Sequence, residues 1–145
     1  IETQTFSGVN SVTFTNIKQN EYNVHFMTFN NCKSFSGQTN KQLLQLYEAG
    51  IGFETGNVYQ FANQFGGSNG SFGDNFHTQY VYLYNLGDST KYSFMTSHSA
   101  NWYTRLYMFF GSAVLPQASE IEQIKYFAES TGNISGTVSL YGVKE

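Results

Sequence analysis

The side chains able to do acid–base, nucleophilic or metal chemistry are few and scattered. The histidines are His25, His77 and His98, and Cys32 is the single cysteine. His77 and His98 flank the stretch 78–98 and could converge. A zinc site, however, takes three or four ligands at recognisable spacing, and the chain has no HxH, HExxH or CxxC. In Thr96–Asn101 (TSHSAN), Ser97 and Ser99 bracket His98. Neighbouring side chains on a strand point to opposite faces, which separates either serine from the imidazole and argues against a nucleophile–base pair. There is no GxSxG. The ten carboxylates are Glu2, Glu21, Glu48, Glu54, Asp74, Asp88, Glu120, Glu122, Glu129 and Glu145. Most fall in predicted turns, and no two stand out as the acid and base of a glycosidase. The GDN and GDS turns each bring one Asp, short of the oxygen cage that calcium requires. No catalytic residue, metal or cofactor is predicted, and the chain reads as a non-enzyme.

What remains is surface chemistry. Tyr, Asn, Ser and Gly combine rigid amphipathic area with adaptable hydrogen bonding, the mixture used by binding loops. The ladder Tyr80, Tyr82, Tyr84 is the sharpest candidate, followed by Trp102 and Tyr103. Three readings of the ladder stand side by side: one layer of the core with hydroxyls at the rim, a subunit interface, or a platform for stacking sugars. Trp102 either caps the core or holds a pyranose.

Composition bounds these readings. The chain has 145 residues, of which 14 are Phe, 11 Tyr and one Trp, and only 12% are charged. That is about half the usual charged fraction and the reverse of a disordered chain. The length suits a single domain, 1–145. Seven scattered Lys and Arg and a net charge of −3 argue against a nucleic-acid partner, which needs clustered cations. One cysteine cannot close an internal disulfide, as suits assembly in a reducing cytosol. No run is long enough to span a bilayer as a helix and no signal peptide is visible. The chain opens on Ile1, as a fragment or processed product would.

The elements that must carry the aromatic residues follow from period-two alternation. Val12 and Phe14 share a face, as do Tyr22, Val24 and Phe26; the tyrosines at 80, 82 and 84 oppose Val81 and Leu83; Tyr92, Phe94 and Thr96 oppose Ser93 and Met95. Trp102 to Phe110 is apolar on both faces and reads as one central or doubly covered strand. The last strand sets Ile134, Val138 and Leu140 against Tyr141 and Val143. Turn signals lie at 8–10, 18–21, 66–75, 86–90 and 129–133, the third being the longest structureless stretch. Residues 41–50 carry Leu43, Leu44 and Tyr47 at helical spacing with Gly50 as a possible cap, yet strand is preferred there and over 119–127. Pro116 is assigned to the connection before that last segment. With no long helical crossovers, an all-β, antiparallel sandwich of jelly-roll type follows.

The ending Ile121–Glu145 resembles that of a class of bacteriophage virion domains. The similarity rests on Ile121 and Ile124, the Thr131-Gly132-Asn133 turn and the closing Ser135–Gly142 strand (SGTVSLYG). Phe6–Ile17 and Lys91–Ser99 resemble the opening and a polar strand of the same proteins. The three patches cover about a third of the chain. The resemblance implies a β-sandwich in a tail fibre, tail spike or capsid fibre. It also implies a homotrimer that meets other virion proteins and a host-surface glycan, and a place in the virion. It implies no catalytic residues.

Overall fold

Side chains alternate across an extended chain, so each strand commits one face to a core and leaves the other for something else. The computed structural model describes residues 1–34, 42–54, 60–61, 77–102, 106–128 and 132–144. These form β1 (Glu2–Val9), β2 (Ser11–Phe14), β3 (Val24–Ser34), β4 (Gln42–Glu48), β5 (Gly52–Phe53) and β6 (Gln60–Phe61). They continue as β7 (His77–Tyr84), β8 (Tyr92–Trp102), β9 (Leu106–Ala118), β10 (Ile121–Ala128) and β11 (Ile134–Val143). Two antiparallel sheets result. One has seven strands in the order β1-β11-β3-β7-β8-β9-β6, and the other four in the order β2-β10-β4-β5. The protein is an antiparallel β-sandwich, as its alternation predicts.

The core lies between the sheets. Met27, Phe29, Val81, Leu83, Leu115, Val138 and Leu140 come from the larger sheet; Phe14, Leu46, Ile121, Ile124 and Tyr126 come from the smaller one. Ile17 and Leu86 close it from the connections. Phe29 and Tyr126 meet edge to face across the gap, centroids 5.0 Å apart. Each such side chain contributes about 1.5–3 kcal/mol by leaving water. The Tyr126 hydroxyl donates to Gln42 Oε1, which satisfies that polar tip.

Several local readings are settled by pairing. Residues 42–48 are a strand, β4, because they pair with β10 from Gln42↔Ala128 to Glu48↔Ile121. That ladder also confirms the strand reading of 121–127. Pro116 lies inside β9, not in a connection. Ser93 pairs with Leu115 and Tyr92 with Ala118, so Pro116 and Gln117 fall in a bulge where the missing N–H costs no ladder bond. The run 102–110 is not one central strand: Trp102 ends β8, Leu106 begins β9, and the two residues are paired. The turns at 8–10, 18–21 and 86–90 are present. In the last of these Asp88 accepts from Thr90 N (2.9 Å) and Thr90 Oγ1 (2.6 Å). Residues 66–75 lie outside the described residues.

Two glycines of the closing strand have steric roles. Gly136 has φ +147° opposite the bulge that β3 makes against β11, and a Cβ there would sit 2.6 Å from Cys32 Sγ. Gly142 lies under the Tyr22 ring, where a Cβ would come within 2.3 Å of it.

Candidate functional site

Alternation alone does not say which face turns inward, and on three strands the structure turns the aromatic set outward. Val81 and Leu83 are buried, so Tyr80, Tyr82 and Tyr84 line the outer face of the seven-stranded sheet. On β3, His25, Met27 and Phe29 point into the core and Val24 and Phe26 point out. On β8, Ser93 and Ser99 are buried, whereas Tyr92 and Phe94 are exposed. The reason is shape. Branched aliphatic chains and Met pack the narrow layer between sheets, and tyrosine keeps its hydroxyl wet on the outside.

Register joins these residues into one aromatic band. Tyr141 pairs with Phe26, Phe26 with Tyr82, Tyr80 with His98, and His98 with Phe110. Their rings touch in sequence. Phe26 lies 6.0 Å from Tyr141 and 4.7 Å from Tyr82, Tyr80 lies 5.3 Å edge-on from His98, and His98 stacks on Phe110 at 4.2 Å. Tyr82 stacks against Tyr84 at 6.3 Å. Beyond the band, Trp102, Leu106, Met108 and Phe110 are 57–62% exposed. Taking roughly 200 Å² for a whole large side chain, the exposed apolar residues of this face leave on the order of 800 Å² uncovered. Monomers seldom show contiguous patches above about 300–600 Å².

At one end of the band the large side chains give way to a trench. Its floor crosses five strands, Thr5↔Thr137↔Asn30 and then Thr78↔Ala100, with Phe29↔Gln79 bringing Asn30 beside Thr78. The trench is an open groove of ≈ 740 Å³ with Trp102 and Leu106 at one end and Phe6 and Ser7 at the other. Among the described residues that line it, Lys33 is the one ionisable side chain. Two strands carry an extra residue along it: β1 between Phe6 and Val9, and β3 between Phe29 and Cys32, where the register breaks against both β11 and β7. Such bulges re-aim side chains and gather beside binding sites.

The chemistry of these groups is that of contact. Tyr80, Tyr82 and Tyr84 share the band, Trp102 stands over the groove, and Tyr103 lies outside the described residues. Phe26, Phe94, Met108, Phe110 and Tyr141 complete the face; alternation puts each on one side of its strand, but only pairing brings them together. The period-two run from Phe94 to Trp102, continued by Leu106, Met108 and Phe110, carried a signal only once the hairpin was known.

His98 is engaged by the Tyr80 hydroxyl, 3.1 Å from Nδ1, and not by a serine; Ser99 is buried on the other side of β8. His25 donates from Nε2 to Ile17 O at 2.8 Å, and burial holds its pKa below the usual histidine value. Glu54 is raised above the ordinary carboxyl range by its hydrogen bond to Glu48, at the β4–β5 hairpin of the smaller sheet. Among the described residues no three His, Cys, Asp or Glu gather as metal ligands, and no helix is long and apolar enough to cross a membrane. The chain matches no protein-family model, and no curated protein sequence matches it.

Proposed function

We propose that this chain is a non-enzymatic structural module of a phage virion, of the tail-fibre, spike or surface-fibre kind, that assembles as a homotrimer and contributes to host-surface attachment. The observation that supports this reading is the aromatic band on the outer face of the seven-stranded sheet. A standard interface takes about 800 Å² from each partner, and the face without the groove residues Trp102 and Leu106 supplies roughly 600 Å² of it. Tyr, Trp, Phe and Met, the residues enriched in interface cores, supply it, and carboxylates are absent from the ring-to-ring chain. The resemblance of the closing strand to virion domains points the same way.

Native mass spectrometry tests the assembly, with trimers expected and a monomer at micromolar concentration counting against it. Pull-down on a panel of bacterial cells tests attachment. Binding to virus particles without binding to any cell would instead favour a decoration or anchoring protein that uses the same face toward the particle.

A further inference from the structure

The groove across β1, β11, β3, β7 and β8 differs in chemistry from the band beside it. Its floor is hydroxyl and amide, and its end is the exposed indole of Trp102. Resting on the attachment reading above, we propose that it is an oligosaccharide-binding site. Trp102 stacks on the C–H face of one sugar ring, and Asn30, Thr78 and Thr137 hydrogen-bond the hydroxyls of the rings that follow.

Five observations select this ligand class. A sugar presents hydroxyls that donate and accept at once plus one apolar face, and hydroxyl and amide side chains beside an aromatic plane are its complement. The groove crosses the strands over about 19 Å, four spacings of ~4.8 Å, so it suits an extended chain of rings. A strand-adding peptide would lie along the outer edge of β1, at the rim of the groove, whereas the floor strands β11, β3 and β7 are paired on both sides and the groove runs across them. A nucleic acid would demand clustered cations, and among the described residues of the lining Lys33 is the one cation. The bulges of β1 and β3 lie on either side of β11 at this trench.

The floor hydroxyls are already set by local bonds. Thr78 Oγ1 donates to Phe29 O at 2.9 Å, leaving its lone pairs to accept from a ligand. Thr5 and Thr137 share one hydrogen bond at 3.0 Å, so one proton of the pair stays available outward. The site is thereby organised before any ligand arrives.

Trp102 is the only tryptophan of the chain, so its emission reports on the groove alone. The test titrates the purified oligomer with oligosaccharides released from bacterial O-antigen and capsular polysaccharide, following that emission. A saturable change in wavelength or intensity is expected. The Thr78→Val/Thr137→Val variant keeps shape and strand propensity, and should bind at least about tenfold more weakly. Tyr84→Ala, on the band but away from the lining residues, should bind as the parent does. Absence of a saturable change with every oligosaccharide, or equal binding by the double Val variant with its far-ultraviolet spectrum intact, overturns the proposal. Cell attachment without any oligosaccharide response sinks the groove and leaves the attachment reading standing. An oligosaccharide response without cell attachment does the reverse.

Discussion

His98 lies flat on Phe110, ring planes within 9° and centroids 4.2 Å apart, while its Nδ1 faces the Tyr80 hydroxyl at 3.1 Å. Three strands are thus tied on their outer face by rings rather than by a core. Phe110 is 62% exposed at this junction, so its stacked ring is offered to solvent or to a neighbour. On the proposed trimer reading, Phe110→Asp is expected to shift the trimer to monomer in sedimentation velocity, because an interface centre tolerates a carboxylate poorly. Monomer stability should fall by only about 1 kcal/mol, the worth of the lost stacking on His98.

His25 couples folding to pH. Its Nε2–H is committed to Ile17 O, and its Nδ1 is buried without a hydrogen-bond partner. A second proton on the ring would therefore be a charge without water, and burial lowers its pKa. The unfolded chain then binds that proton more readily than the native one. Stability from this residue is complete above the ordinary value of 6.5 and is lost as pH falls below it toward the lower folded value. The slope cannot exceed about 1.4 kcal/mol per pH unit for one site. Glu54, raised in the fold, acts with opposite sign above 4.5. Urea midpoints of the parent and His25→Phe, compared between pH 7.5 and 5.5, isolate the histidine. The parent should lose more than the variant over that interval.

Gly136 and Gly142 should differ in cost. At Gly136 an added methyl meets Cys32 Sγ at 2.6 Å and Cys32 Cα at 2.8 Å, in a backbone conformation L-residues rarely adopt. Gly136→Ala is expected to destabilise by roughly 2–4 kcal/mol. At Gly142 the obstacle is the Tyr22 ring, a side chain that can swing away. Gly142→Ala should cost about 1 kcal/mol. Denaturant unfolding of the two variants gives the ranking directly, and equal losses would contradict this account.

The Cys32 thiol should be inert in the native protein. It is wholly buried, and burial pushes its pKa up to about 11. At pH 8 ionisation alone makes its thiolate about 100-fold scarcer than in an open chain, and steric closure slows reagents further. A thiol-specific chromogenic reagent should label it promptly in guanidinium and not measurably over the same minutes in buffer.

The legibility of this chain was uneven. Turns at Gly8–Asn10, Lys18–Glu21 and Leu86–Thr90 stood out because Gly, Asn and Asp satisfy such backbones locally. The strand at Gln42–Glu48 was harder, since Leu43, Leu44 and Tyr47 also suit a helix and the ladder to β10 decides. Pro116 inside β9 was unreadable, because a bulge exists only relative to the opposite strand. The groove was equally hidden. Thr5, Asn30, Thr78 and Thr137 are far apart in the chain and meet through register alone.

By itself, then, the order of residues determined that this protein is made of antiparallel strands and that its aromatic residues ride on alternate positions. Period two is a local property that each segment carries with it. Only tertiary structure decided which face of each strand turned inward. A sheet buries whichever side fits the narrow layer opposite Phe14, Ile124 and Tyr126, and that layer took Val81, Leu83 and Met27. The tyrosines were left to form a surface.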